Sequence, residues 1–256
     1  MTFFIAAIAS TTLAVPPSLQ PLLDEFAAHA EPVEVQQMQA ALESSAPLAA
    51  QVSGLLDTHR LVAIRHPEAG RNPPGPFGAW QADGVIYLTT RFLDDQANSP
   101  HVFHTLDYSK NNPNNLVFSL GHLAYHVQNA AAIQACGEHA KPNSAKGDGG
   151  RHDPPVDLTA SVQTVVHCML NYEARADIQG WNDMIAAAVH DHHGEALAPR
   201  EIVDLFLKFR YRYLFDASMK GTTKLVLPPS GILLDDDHNV TAIVEALGKL
   251  SVADVQ

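Results

Sequence analysis

The sequence predicts a helix-rich α+β fold with one main core. Apolar residues recur with helical spacing over most of the chain, and the few strand patterns are short. No internal repeat is visible. Many helices combined with a few short strands are typical of the α+β class.

Helices and short strands share the first 90 residues. Pro32 suits the first turn of a helix, where its missing N–H needs no partner. Val, Ile, Tyr and Thr in "GVIYLTT" indicate a strand, and the Pro- and Gly-dense "RHPEAGRNPPGPFG" indicates a loop. In order, the predicted elements are helices over 18–30 and 32–56 with a break near Pro47, a strand over 61–64, a loop over 65–78 and a strand over 84–90.

Helices dominate the second half. "NNPNN" offers N-caps for a helix that contains two histidines, and Asp157 can cap a long helix. In order, we expect helices over 116–135, 158–189 and 199–216, a polar Gly/Pro-rich loop over 137–155, a strand over 224–227, the turn "DDDHN" and a last helix over 240–250. Residues 1–60 are then an N-terminal helical region and 61–256 the main domain, in one continuous core.

The charge excludes some partners. The formal net charge is −12, from 16 basic and 28 acidic residues, and no basic cluster is denser than "KFRYR". Nucleic-acid binding needs a concentrated basic face, and anionic membranes attract Lys and Arg, so neither is expected. The apolar stretch 3–15 is too short to span a bilayer and lacks the basic start of a signal peptide. We expect it to be a strand or buried helix, and the location to be cytoplasmic or secreted without a clear signal peptide.

The two cysteines, Cys136 and Cys168, are too few for a disulfide scaffold, and neither belongs to a C-x-x-C pair. One disulfide is compatible with the sequence. We expect two free or buried thiols instead.

Histidines and carboxylates recur at helical spacing on two predicted helices. His122 and His126 are four residues apart, so their imidazoles can meet at one point, as a zinc ion requires. Glu173 and Asp177 repeat this spacing. A carboxylate often joins two histidines at zinc, and a second one can orient a ligand imidazole. The alternatives are histidines hydrogen-bonded within a core and a solvated glutamate paired with Arg175.

These motifs resemble those of gluzincin-type zinc metallopeptidases, in which a His-Glu-x-x-His helix precedes a helix with a ligand glutamate. "EARAD" matches the Glu-x-x-x-Asp pattern of that second helix. The resemblance covers about 79–183 and implies a zincin-like domain with additional N-terminal helices. It implies Zn²⁺ held by His122, His126 and Glu173, with Asp177 in support. "GVIYLTT" resembles the edge strand along which these enzymes bind an extended peptide.

Leu123 departs from the family pattern. Its position carries the catalytic glutamate in the family, and leucine cannot act as a general base. The chain is then a natural pseudo-peptidase, an enzyme carrying an inactivating substitution, or an enzyme with another base. The candidate bases are Glu138, His190, His192 and His193.

Two other segments contain candidate catalytic side chains. His193, in "HDHHGE", is a candidate for stabilising the oxyanion, although a solvated helix end explains this segment better. Tyr211 and Tyr213 are candidate hydrogen-bond donors to the transition state, although a core-and-surface helix also explains them.

The sequence therefore predicts a zinc-binding metallopeptidase-like protein with weak or absent hydrolysis of peptide or amide bonds. One alternative is an inactive module that binds a peptide or protein, such as a secreted bacterial effector. Another is a helical protein without a metal, in which the histidines are accidental.

Overall fold

The computed structural model describes residues 15–65, 78–80, 83–88, 113–138, 158–208, 214, 219 and 221–248. This part of the chain is a helix-rich α+β structure. After a 3₁₀ turn at Pro17–Leu19, the helices are α1 (Gln20–Ala27), α2 (Pro32–Ser44), α3 (Ala46–Asp57), α4 (Pro113–Gln128), α5 (Ala130–Glu138), α6 (Leu158–Asp191), α7 (Pro199–Lys208) and α8 (Asp237–Leu247). The strands are β1 (Ala63–Arg65), β2 (Gly78–Trp80) and β3 (Val85–Leu88).

Local signals account for several helix ends. Pro32 occupies the first turn of α2, where Glu31 and Glu34 form a reciprocal capping box. Ser45 separates α2 from α3 and caps α3 through the N–H of Leu48, close to the break predicted at Pro47. Asp236, in the turn predicted at "DDDHN", caps α8 by accepting from the N–H of Asn239.

The three strands form a mixed sheet in the order β1-β3-β2. β1 is parallel to β3, with Ile64 opposite Ile86, and β2 is antiparallel to β3, with Ala79 opposite Tyr87. β3 is therefore the central strand, and the prediction that "GVIYLTT" is an edge strand is wrong. Its backbone is already paired on both sides, so within the described residues the free edges belong to β1 and β2.

The segment predicted as a strand over 224–227 is irregular. A side chain, not a neighbouring strand, satisfies its backbone: Asn239, which is fully buried, accepts from the N–H of Val226 at 2.8 Å. The ring of His238 contacts the carbonyl of Lys224 at 2.8 Å. These α8 side chains provide the hydrogen-bond partners that a neighbouring strand would otherwise provide. The prediction of a strand over 224–227 is therefore wrong.

One hydrophobic cluster joins the N-terminal helices to the rest of the described chain. It runs from Leu19 in the 3₁₀ turn to Ile243 in α8, and Phe118 of α4 and Trp181 of α6 lie fully buried within it. α4 and α6 pack side by side at its centre, and α2 and α3 cover α4. The core thus fixes α4 and α6 relative to each other, and these are the two helices with the predicted metal ligands.

α5 and α6 are joined by a disulfide between Cys136 and Cys168, whose Cα atoms are 5.8 Å apart. The expectation of two free or buried thiols is wrong. The two cysteines are 32 residues apart and no local pattern links them, but α5 packs against the first half of α6 and brings them together.

None of the helices within the described residues is both long enough and apolar enough to span a membrane. The apolar stretch 3–15 lies outside these residues except for Val15, which packs against the core.

Candidate metal centre

α4 directs two buried imidazoles to one point. His122 and His126 lie one turn apart on the same helical face, and each is 3% exposed. Their Nε2 atoms are 3.1 Å apart and their ring centroids 4.7 Å apart. Two imidazole nitrogens at this separation can share a hydrogen bond, and they are also close enough to bind the same metal ion.

Glu173 on α6 completes a group of three ligands. Its Oε2 lies 3.4 Å from Nε2 of His122, and its Oε1 lies 3.3 Å from Nε2 of His126. Tetrahedral zinc with Zn–N bonds of about 2.0–2.1 Å separates neighbouring ligand atoms by about 3.3 Å. The three residues, whose ligand atoms lie within 4.8 Å of one another, could therefore hold a metal ion. The Glu173 side chain is 42% exposed, so the cluster is accessible from that side.

Asp177, one turn after Glu173, contacts the ring nitrogen of His122 that faces away from the cluster. Its Oδ1 lies 3.0 Å from Nδ1 of His122, and it is 1% exposed. A carboxylate at this place accepts a hydrogen bond from Nδ1–H, so that in the neutral ring the lone pair of Nε2 is directed towards the cluster. The contact fixes the tautomer that a metal ligand needs.

The electrostatics of the cluster favour a positive charge. Burial alone would lower the pKa of His122, but the carboxylates of Asp177 and Glu173 outweigh it and raise that pKa to about 9. Burial, aided by the charge of His122, lowers the pKa of His126. Burial would raise the pKa of Glu173, but the two imidazoles hold it well below its usual range. A cation placed between these groups would replace the proton on His122 and would meet two carboxylates and two neutral imidazoles.

Two glycines bring α4 and α6 close enough to form the cluster. A Cβ atom on Gly121 would lie 3.2 Å from Cα of Gly180 and 2.2 Å from Oδ2 of Asp183. A Cβ atom on Gly180 would lie 2.6 Å from the carbonyl oxygen of Phe118. Because any larger residue at this crossing would push the backbones apart, the glycines set the separation of the histidines from the carboxylates.

Leu123 is buried at the edge of the cluster. It is 3% exposed and belongs to the hydrophobic core. On a helix it lies about 100° from His122 and about 60° from His126, so it flanks the ligand face. The position next to the ligands is thus occupied by an apolar side chain.

The other predicted participants lie elsewhere. His190 is about 25 Å from Glu173 along the unbroken α6. His193 follows the end of α6, and its neighbour His192 pairs with Glu201 at 3.2 Å. The structure thus separates these histidines from the cluster, because one continuous helix lies between them.

Two further sets of predicted residues remain, and of these Glu138 is not part of the cluster. Glu138 is the exposed last residue of α5. Tyr211 and Tyr213 lie outside the described residues, so their predicted roles stay predictions.

Asp183 is a buried carboxyl that the sequence analysis did not single out. It is fully buried beside Gly121, and Gln179 donates to both of its oxygens at 3.1 Å. Burial raises its pKa to about 7, against the effect of the Gln179 hydrogen bonds. Only its position one turn after Gln-Gly on α6 indicated a place in the helix crossing.

Replacing Asp183 by asparagine is expected to stabilise the protein at neutral and alkaline pH. A carboxyl whose pKa is raised by folding favours the folded state fully below about pH 4 and loses this contribution as the pH rises to about 7. Asp183→Asn removes the loss, which amounts to up to about 4 kcal/mol. Denaturant unfolding at pH 4.5 and 8 measures it, with the exposed Asp57→Asn as control. A difference between variant and wild type that is the same at both pH values would contradict the prediction.

Comparisons with known proteins assign no family. No protein-family model, curated protein or solved structure matches this chain significantly.

Proposed function

We propose that this chain is a zinc-binding protein of the gluzincin metallopeptidase type, which binds peptides and hydrolyses them weakly or not at all. Zn²⁺ is held by His122, His126 and Glu173, and Asp177 orients His122. The domain is zincin-like, with the N-terminal helices packed onto α4.

The observation that carries the proposal is the position of three ligand atoms at zinc-like spacing inside a buried, carboxylate-backed cluster. The Nε2 atoms of His122 and His126 are 3.1 Å apart, and the Glu173 oxygens lie 3.3–3.4 Å from them. Zinc binds two nitrogens and one carboxylate in a tetrahedral arrangement with one open position. The exposure of Glu173 provides access to that position.

Each residue has a defined task in the proposed site. When bound, zinc supplies Lewis acidity to a water molecule and to the scissile carbonyl group. His122 and His126 hold their rings on one side, and Asp177 keeps the Nδ1 proton of His122 in place. Glu173 contributes negative charge from the open side. Leu123 neither accepts a proton nor donates one, so general-base assistance, ordinarily worth about 10²–10⁴-fold in rate, is missing.

An extended peptide would pair with β2. It is antiparallel to β3, and it contacts α4. Its outer edge has no strand partner within the described residues. We therefore assign the peptide-binding edge to β2 (Gly78–Trp80) and not to "GVIYLTT".

The metal content of the purified protein tests the proposal. Protein prepared without added metal or a chelating matrix is expected to contain about one zinc per chain by elemental mass spectrometry. His126→Ala should lose it, because two remaining ligands do not hold zinc tightly. His192→Ala, at the far end of α6, should keep it. A wild-type chain that holds no zinc even after incubation with zinc would end the proposal.

A further inference from the structure

Residues 162–172 of α6 are a helical segment with no buried residue and with no Asp, Glu, Lys or Arg. From Leu158 to Tyr172 the sequence reads "LTASVQTVVHCMLNY", with no Asp, Glu, Lys or Arg, in a chain in which 17% of residues are charged. None of the residues 162–172 is buried. Exposed helices are usually covered by charged side chains, so this composition requires an explanation.

Three apolar side chains of this segment lie on the same face of α6 as the candidate metal ligand Glu173. Val162, Val166 and Met169 are 53%, 48% and 42% exposed. Together with Glu173 they occupy positions i, i+4, i+7 and i+11, which lie within about 60° of one another around the helix. They form a continuous apolar ridge, here defined as Val162, Val166 and Met169, that leads to the candidate metal centre.

The disulfide fixes the ridge in this position. Cys168 lies between Val166 and Met169 in sequence and binds α6 to α5 through Cys136, which is 1% exposed. Around the axis of α6, the side chain of Cys168 points about 140° away from that of Glu173. The anchor is therefore on a different side of the helix, and the ridge stays uncovered in the described structure.

The spacing of the ridge suits an extended peptide. Met169 lies about 6 Å from Glu173 along the helix, Val166 about 10 Å and Val162 about 16 Å. In an extended chain, side chains on one face repeat about every 6.6 Å. Successive side chains of a peptide that starts at the metal centre would thus reach Met169 first and the two valines next.

We propose that the apolar ridge binds the apolar side chains of a polypeptide held at the His122–His126–Glu173 cluster. This inference rests on the proposed function and adds a preference for certain polypeptides. In the preferred polypeptide, the residues on one side of the scissile or metal-bound group are apolar. The ridge supplies no charge that would select acidic or basic side chains.

Binding of hydroxamate-capped peptides tests the ridge, because a hydroxamate occupies the open position of a bound zinc and is not cleaved. One probe has leucine and the other serine at the two alternate positions that would reach the ridge. We expect the zinc-loaded wild type to bind the leucine probe at least tenfold more tightly, by calorimetry. Val166→Ser with Met169→Ser should abolish the difference, and Met169→Leu should keep it. Val33→Ser with Val203→Ser, at exposed valines on α2 and α7, is the matched control.

The outcomes separate the two proposals. Equal affinity for both probes in the wild type would overturn the ridge and leave the metal site intact. A zinc-loaded chain that binds neither probe would overturn the proposed function and the ridge together. Concentration-dependent dimers that disappear in the Val166→Ser/Met169→Ser variant would show that a second copy covers the ridge, which also overturns the proposal.

Discussion

Replacing Leu123 by glutamate is expected to raise peptide hydrolysis by the zinc-loaded protein about 10²–10⁴-fold, the usual contribution of a general base. Leu123 flanks the ligand face of α4, next to His126, so a carboxylate there can reach a water molecule at the open position of the metal. Its burial at 3% exposure adds a second consequence. A carboxylate in place of a buried leucine destabilises the fold when no metal is bound.

Two variants identify the cause of any gain. Leu123→Gln has the shape of glutamate without a titratable group, and it should remain as slow as the wild type. Leu123→Glu combined with His126→Ala should lose the gain, because the metal is then absent. Hydrolysis of a quenched fluorescent peptide, measured with and without zinc, gives the rates. If Leu123→Glu is folded and zinc-loaded but no faster than Leu123→Gln, the peptidase-type chemistry is refuted.

Replacing Gly180 by alanine is expected to destabilise the protein and to weaken zinc binding at the same time. The added methyl group meets the carbonyl oxygen of Phe118 at 2.6 Å, so α4 and α6 must separate. Overpacking of this kind costs about 1–3 kcal/mol, partly offset by the better helix propensity of alanine, which is worth about 1 kcal/mol. Because the same crossing sets the distance from His122 to Glu173, we expect at least a tenfold loss of zinc affinity.

Gly54→Ala is the matched control for this substitution. Gly54 lies within α3, and a Cβ atom there meets nothing within 4 Å, so alanine should stabilise the helix by up to about 1 kcal/mol and leave zinc binding unchanged. Chemical denaturation and competition with a zinc-binding dye measure both quantities. If Gly180→Ala binds zinc as tightly as Gly54→Ala, the glycine contact does not set the ligand geometry.

Local spacing was sufficient to predict which side chains of the cluster share a face of one helix. His122 and His126 on one helix, and Glu173 and Asp177 on another, each repeat every four residues, and helical geometry alone puts each pair on one face. The packing of α4 against α6 then brings the pairs together.

Long-range features could not be predicted in this way. Whether Val85–Leu88 is central or at an edge depends on β2, which follows a Pro- and Gly-rich stretch without a strand pattern. The Cys136–Cys168 pairing depends on how α5 packs, and the distance of His193 depends on α6 remaining unbroken. Gly180 lowers helix propensity when read alone, whereas in the fold it is the residue that permits the helix crossing.

The disulfide changes the chain topology of the candidate metal centre. His126 and Glu173 are 47 residues apart along the backbone, but through the sulfur bridge the path is ten residues on one side and five on the other. The entropic cost of closing a loop is smaller for a shorter loop. Shortening the path between the two ligands in this way lowers the cost by about 1 kcal/mol. A backbone cut anywhere between the two cysteines would also leave both ligand-bearing helices in one covalent molecule.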